Sequence, residues 1–221
     1  MVRRFVRDNG LTLVLLAAFS ACLLGQLVSG WLAQNQDLAW HGRAGTTLSA
    51  YAASSGFLSS VFENWESEFL QMAAYVVLTA MLFQRGSAES RDPDDPGRAG
   101  DDPDEAARDP QAPWPTHAGR IFGRIYANSL GLALGLLFLA SFVLHWVASA
   151  AAQAEEAALH GMAGGSLLSH LGDAQLWFES FQNWQSEFLS TAVLALLTIF
   201  LRQRGSPESK PLAAPTAQTG A

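Results

Sequence analysis

The sequence carries little charge and has a single cysteine. Charged residues make up 15% of the 221 positions, whereas about a quarter is usual in a soluble domain, so we expect much of the surface to face lipid. The one cysteine, Cys22, excludes an intramolecular disulfide. No patch of lysine and arginine occurs outside the helix ends, which excludes the footprint of a nucleic-acid-binding protein.

The short motifs that mark common active sites are also missing. The chain contains no Gly-x-Ser-x-Gly, P-loop, Cys-x-x-Cys or His-Glu-x-x-His segment. Its serines, histidines and cysteine show no arrangement typical of an activated nucleophile. We therefore expect no enzyme, no catalytic residue and no cofactor.

What the sequence does contain is four long apolar segments. Two are almost free of polar residues, at about 11–32 and 130–151, and two begin with polar residues, at about 62–84 and 180–201. Each is long enough to cross a hydrocarbon core of about 30 Å as a helix. A cleaved signal peptide is the alternative for the first segment, although the apolar run continues well past the small-residue box ending at Cys22. The predicted fold class is an all-α membrane protein with four transmembrane helices.

The sequence contains an internal repeat of two copies. Residues 62–90 and 181–209 align without a gap, at an offset of 119 residues (181 minus 62). The same offset aligns Asn9 with Asn128 and His41 with His160. Each copy holds two spans and an outer loop, and both copies enter the membrane from the same side. The four helices therefore form two parallel-repeat helical hairpins, as in transporters built from parallel repeats.

Composition divides the chain into four regions. Residues 1–90 and 120–209 are the two-helix repeats, and residues 210–221 form a flexible tail. Between the repeats, residues 91–118 hold eight aspartates and glutamates against three arginines. Such a segment buries too little apolar surface to order itself, so we predict a disordered acidic linker at 91–119.

The basic residues predict the orientation in the membrane. With four spans, both termini and the linker share one side, and twelve of the thirteen lysines and arginines lie there. Only Arg43 falls on the other side. Cytoplasmic loops carry such an excess, so both termini are predicted to be cytoplasmic.

Polar side chains form one stripe where the second and fourth spans begin. At 100° per residue they share one helix face, and two further polar residues lie at a similar depth in the other spans. The candidate cluster is Asn64, Ser67, Glu68, Asn183, Ser186, Glu187, Gln26 and His145. A polar group left unpaired in hydrocarbon costs several kcal/mol. The cluster is therefore either a cavity for an ion, a proton or a small polar solute, or a set of hydrogen bonds between helices.

Aromatic and histidine residues mark the outer boundary. Trp65 and Trp184 suit the aromatic belt and are predicted interface anchors. His41 and His160 are each followed by glycine, which fits turn residues; the alternative is a metal site shared with the glutamates. No tight ligand spacing supports that alternative, and no metal is predicted.

Two motifs carry a family resemblance. N-W-x-S-E-F-L occurs twice, and L-R-Q-R-G-S-P-E-S-K spans residues 201–210. With them the chain resembles a family of small bacterial integral membrane proteins catalogued only as a domain of unknown function. The resemblance covers nearly the whole chain apart from the linker; it implies a bacterial inner membrane location and no activity. The first copy departs from the motif at Phe83 and Ala88, where the second has Arg202 and Pro207.

These observations predict a structural or accessory component of the bacterial inner membrane, multi-pass and without enzymatic activity. The alternative is a small transporter or channel that uses a polar cavity lined by Asn64, Glu68, Asn183 and Glu187. The lipid bilayer is the expected partner. A homo-oligomer is left open by the sequence, and nucleic acid is not expected.

Overall fold

The computed structural model describes residues 2–220, and within them the chain is helical and contains no strand. The described residues form ten helices. These are α1 Val2–Asp8, α2 Gly10–Trp40, α3 Leu48–Ala52, α4 Ser55–Met81, α5 Pro103–Ala106, α6 Trp114–His117, α7 Arg120–Ala127, α8 Ser129–Leu159, α9 Leu167–His170 and α10 Ala174–Phe200.

The chain divides into two compact units. The first comprises the residues up to Val61 together with His145–His170, and the second comprises Phe62–Leu144 together with the chain from Leu171 onward. Each unit takes residues from both copies of the repeat. The division by contacts therefore differs from the division by sequence similarity.

Two helices, α2 and α8, are long and apolar enough to cross a membrane, and no other helix of the described chain is. Each has 31 residues and is about 47 Å long at 1.5 Å per residue. No residue of α2 is buried, and Leu11 and Leu136 are 75% and 67% exposed. Both helices contain the predicted segments and extend past them, so α2 also includes residues 33–40.

The other two predicted spans, in α4 and α10, are helical but only partly apolar. Their apolar parts, residues 69–81 and 188–200, are each about 20 Å long, short of a hydrocarbon core of about 30 Å. Glutamates and amides occupy the preceding turns of both helices. Length and composition by themselves thus support a membrane span for two of the four helices.

Both α4 and α10 begin earlier than predicted because polar side chains stabilise their first turns. Ser54 Oγ accepts a hydrogen bond from the Phe57 N–H at 3.3 Å, and Asp173 accepts one from the Gln175 N–H at 2.9 Å. Such bonds satisfy donors that have no partner within a helix. Residues 48–61 accordingly include α3 and the start of α4.

Matching asparagines separate a short basic helix from a long apolar one in each copy. Asn9 lies between α1 and α2, and Asn128 between α7 and α8. The amide of Asn9 donates to the Phe5 carbonyl at 2.9 Å, and the amide of Asn128 donates to the Arg124 carbonyl at 2.9 Å. Each side chain thus satisfies a carbonyl of the short helix where the helical bonding is interrupted.

The acidic segment between the copies has little regular structure. It contains the four-residue helices α5 and α6, joined by turns. Most of its side chains from residue 94 onward are exposed. The disorder expected for 91–119 stays a prediction.

Candidate functional site

The first-copy members of the predicted polar cluster differ in exposure. Asn64 and Glu68 are exposed on α4, whereas Ser67 is 2% exposed. The Ser67 hydroxyl donates to the Asn64 carbonyl of its own helix at 2.9 Å. Ser67 therefore satisfies its hydroxyl locally, as serines in apolar helices commonly do.

The second-copy members make contacts to the first copy. The Asn183 amide donates to the Glu63 carboxylate and, at 3.2 Å, to the carbonyl of Glu179. The carboxylates of Glu187 and Glu68 interact electrostatically; a shared cavity for this pair stays a prediction. Ser186 is exposed and donates to its own helix at 2.8 Å.

The remaining two members of the cluster, Gln26 and His145, belong to the other compact unit. The Gln26 amide donates to the Ser60 hydroxyl at 3.1 Å. His145 is fully buried. Gln26 thus bonds α2 to the first turns of α4.

A second buried histidine, His170, was not singled out from the sequence. It is 3% exposed, and its Nδ1 and Nε2 lie 3.0 Å from Gln153 Oε1 and 3.1 Å from Ser149 Oγ. The contacts satisfy both ring nitrogens and join α9 to α8. No sequence signal marked this role, because His170 aligns with Tyr51 in the first copy.

The two tryptophans predicted as interface anchors have different surroundings. Trp65 is half-buried and stacks edge-on with Phe62, with ring centroids 5.6 Å apart. Trp184 is half-buried within a group of aromatic rings, 6.2 Å from Phe138 and 5.3 Å from Phe181. Its indole N–H donates to Glu66 Oε1 at 2.9 Å.

Glu66, the acceptor of that bond, is the acidic residue that sequence analysis missed. It is fully buried, with an exposure of 0%. Glu66 lies at the variable position of N-W-x-S-E, where the second copy has Gln185. Its place on the face of α4 opposite Asn64, at 200° on the helical wheel, is the signal that could have revealed it.

The polar segments after α4 and α10 fold alike. Gly86 and Gly205 both have φ of +83°, a left-handed conformation that glycine adopts without steric cost. In the first copy the Ser90 hydroxyl accepts from the Gln84 N–H at 2.8 Å. The corresponding bond, from the Gln203 N–H to the Ser209 hydroxyl, is 2.9 Å. R-G-S-x-E-S thus specifies one serine-closed turn twice.

Two glutamates, Glu89 from the first turn and Glu208 from the second, lie close enough to share a hydrogen bond. Tyr75 donates its hydroxyl to Glu89 Oε2 at 3.1 Å. Burial raises the pKa of the Glu89 carboxyl, and a hydrogen bond to Glu208 raises it further, whereas the bond from Tyr75 lowers it. A carboxyl beside another carboxyl favours its neutral form, because two like charges repel. Glu89 and Glu208 occupy the same position in their copies.

The Lys210 amine lies just after the second turn and donates a hydrogen bond to the first turn, at the Gly86 carbonyl. Lys210 is 1% exposed and donates to the carbonyl of Gly86, to that of Thr216 at 3.0 Å and to that of Gln218 at 2.9 Å. Burial lowers the pKa of the amine, and the charge of Arg202 lowers it further. The carbonyl oxygens replace the water that the ammonium loses.

A groove of about 340 Å³ lies between α4 and α10, next to Tyr75 and Glu89. Its surface is mainly apolar. At the end away from Glu89, the Gln71 amide donates to the Thr191 hydroxyl. The groove is the candidate binding site of this unit, because an apolar cavity with a few polar groups is typical of small-molecule sites.

His41 and His160 lie at the ends of the two long helices. His41 follows α2, and its Nδ1 is 2.8 Å from the Asp37 carbonyl. The glycines that follow, Gly42 and Gly161, have φ of +65° and +68°, typical of helix C-termini. Among residues 2–220, no group of three or more His, Cys, Asp or Glu side chains is placed to hold a metal ion.

Comparisons with known proteins identify a family but no function. No curated protein and no solved structure matches the chain. A family model described as "Domain of unknown function (DUF6766)" matches residues 2–221. The chain therefore belongs to the DUF6766 family.

Proposed function

We propose that the chain is a multi-pass protein of the bacterial inner membrane with a structural or accessory role. The observation that carries the proposal is the surface of α2, which has 31 residues, nearly all apolar in its central part, and buries none of them. Contiguous apolar surface of this extent marks a membrane or protein interface. Lipid is the proposed partner, and no catalytic activity is part of the proposal.

The pairing of polar groups supports two further spans, in α4 and α10. Each helix has 27 residues, about 40 Å, and its polar first half bonds to the other helix. Asn183 donates to Glu63, and Trp184 donates to Glu66. Polar groups that are satisfied within the protein are tolerated at membrane depth, so four spans in two hairpins are consistent with these contacts.

The basic residues support an orientation with both termini and the 91–119 segment in the cytoplasm. The test is cysteine labelling in a Cys22→Ser background. Ala44→Cys and Ala163→Cys lie in the proposed outer loops, and Ala99→Cys lies in the linker; all three positions are exposed. We expect a membrane-impermeant maleimide to label positions 44 and 163 in intact spheroplasts, and position 99 only after permeabilisation.

Two results would overturn this topology. One is recovery of the protein in the soluble fraction after cell lysis, and the other is labelling of position 99 in intact spheroplasts. The intact mass of the purified protein also distinguishes α2 as a retained span from a cleaved signal peptide.

A small transporter or channel is the second candidate, favoured by the electrostatic interaction between Glu68 and Glu187. Ionisable groups within spans commonly mark ion or proton pathways. Vesicles that contain the purified protein separate the two roles. Ion or proton flux above that of protein-free vesicles, abolished by Glu68→Gln, would establish transport; its absence supports the structural role.

A further inference from the structure

We propose that the groove between α4 and α10 binds a small amphipathic organic cation, with its apolar body between the helices and its positive charge at Glu89. The proposal goes beyond the structural role, because it assigns a ligand class to one cavity. It concerns contacts within a single compact unit and does not depend on the orientation of the chain in the membrane.

The shape of the groove defines the body of the ligand. Its volume of about 340 Å³ lies near the lower end of the range of roughly 300–1,000 Å³ for small-molecule sites. The cavity exists because two residues of α10 that line it are alanines with small side chains, and larger apolar side chains form its walls. The apolar walls are Leu78, Leu82, Phe83, Phe188, Ala192 and Ala195.

The charge of the groove defines the head of the ligand. Glu89 is the only ionisable acid that lines it, and no lysine or arginine of the described chain is among the lining residues. Of the neighbouring bases, Arg85 pairs with Asp94 at 2.6 Å. Arg91 donates to the Ala80 carbonyl and to that of Pro96 at 2.9 Å, and its guanidinium stacks on the outer wall residue Phe83, 5.2 Å from the ring centroid. Glu89 thus lines the cavity, while the two neighbouring arginines bond to other groups.

The aromatic lining favours a cation over a neutral ligand. Tyr75 and Phe188 border the cavity, and the face of an aromatic ring attracts an ammonium group by about 0.5–2 kcal/mol. Glu89 is half-buried, and burial and the hydrogen bond to Glu208 raise the pKa of its carboxyl, so a cation that binds there competes with a proton. Binding of the cation replaces that proton, which is released to solvent, so the net charge of the site does not change.

The test is isothermal titration calorimetry of the full chain in lipid nanodiscs, with empty nanodiscs as the blank. The probe is benzyltrimethylammonium, and phenylacetate is a soluble probe with a similar ring and the opposite charge. We expect the cation to bind and the anion not to bind. Binding should release a proton, measured as a dependence of the heat on the ionisation enthalpy of the buffer, and should weaken as pH falls.

Three variants locate the binding. Glu89→Gln keeps the acceptor for Tyr75 but removes the charge, and Ala195→Leu fills the groove while leaving Glu89 in place. Each should weaken binding at least tenfold. Glu105→Gln removes a charge from an exposed residue of the linker and should bind as the wild type does.

Several results would overturn the proposal. These are equal binding by folded Glu89→Gln and wild type, equal binding of phenylacetate, and no heat above the blank with either probe. A lipid that native mass spectrometry finds on wild type but not on Ala195→Leu, and that the cation does not displace, would show that an acyl chain occupies the groove instead. None of these outcomes affects the cysteine labelling, so failure of this inference is distinguishable from failure of the proposed topology.

Discussion

Trp184 donates its indole N–H to the carboxylate of Glu66 over 2.9 Å, and that carboxylate is fully buried. The bond joins α10 to α4 through one residue of each helix. A buried carboxylate is stable only where hydrogen bonds replace the water that it has lost. The bond is therefore one of the contacts that hold α4 and α10 together, beside those of Asn183 with Glu63 and of Gln71 with Thr191.

Replacement of the tryptophan should destabilise the protein. Trp184→Phe retains an aromatic ring but removes the N–H, and leaves Glu66 short of one donor. We expect the free energy of unfolding to fall by about 1–3 kcal/mol, the usual penalty for a buried group deprived of a partner. Chemical or thermal unfolding of the purified protein in detergent measures the change.

The matched control is Glu68→Gln, two residues further along the same helix. Glu68 is exposed, so we expect a change within about 0.5 kcal/mol. A double-mutant cycle of Glu66→Gln with Trp184→Phe should give a coupling energy, because the two groups are in contact. Equal stability of Trp184→Phe and Glu68→Gln would show that the bond contributes nothing.

The two left-handed glycines should differ in their tolerance of alanine. At φ of +83° alanine costs about 1–2 kcal/mol in either turn. At Gly86 a Cβ atom would also lie 3.0 Å from the Thr216 carbonyl oxygen, whereas at Gly205 it would meet nothing within 4 Å. We therefore expect Gly86→Ala to lower the melting temperature more than Gly205→Ala does.

A helical glycine provides the control for that comparison. Gly135 lies within α8 with open space around its Cα, so Gly135→Ala should be neutral or stabilising, by up to about 1 kcal/mol. If all three variants lost the same stability, the conformation of the two turns would not be the cause.

The Glu89 carboxyl should make stability depend on pH. Because its pKa is raised in the folded protein, its contribution is fully present below the unfolded value of about 4.3 and is lost as pH rises through the folded value. Glu89→Gln removes this dependence. We expect the melting temperature of wild type, relative to that of Glu89→Gln, to fall as pH is raised from 4 to 8.

The same pH series with Glu105→Gln tests whether the effect is specific. Glu105 is exposed in α5, so the melting temperature of Glu105→Gln should change with pH in the same way as that of wild type. Parallel curves for Glu89→Gln and wild type would contradict a raised pKa at Glu89.

The acidic linker should be cut before the helices. Arg98 and Arg108 are exposed, and a disordered segment is open to protease. Limited trypsin digestion should give two fragments that still co-elute in size-exclusion chromatography, because Trp184 and Glu66 hold them together. Cleavage elsewhere first would argue that the linker is ordered, and separation of the fragments would show that the contacts of α4 with α10 do not suffice.

The apolar helices could be predicted from the sequence, while their ends could not. Hydrophobic runs locate α2 and α8, because a helix able to cross a membrane needs about 20 consecutive apolar residues. The extension of α2 to Trp40 lies in a polar stretch, where helix and loop have similar composition. The early start of α4 depends on a single hydroxyl contact, from Ser54, which periodicity does not show.

The polar contacts could be predicted only in part. The repeat singled out Glu68 and Glu187, whose carboxylates interact electrostatically. Comparison of the two copies did not single out Glu66, because the second copy has an uncharged residue, Gln185, at the same position. Which residue of α10 meets Glu66 depends on how the two helices are rotated about their axes, and the sequence does not give that rotation. A search based on the repeat also finds only residues that both copies share, whereas Glu66 and Trp184 are at different positions of the repeat.

The bond from Lys210 to the Gly86 carbonyl spans 124 positions of the sequence, which sets an order of events during synthesis. At roughly 5–20 residues per second, Gly86 is translated about 6–25 s before the lysine that caps it. During that interval the first turn is held by its own serine bond, from the Gln84 N–H to Ser90 at 2.8 Å. The first turn is therefore made well before the lysine that later donates to its Gly86 carbonyl.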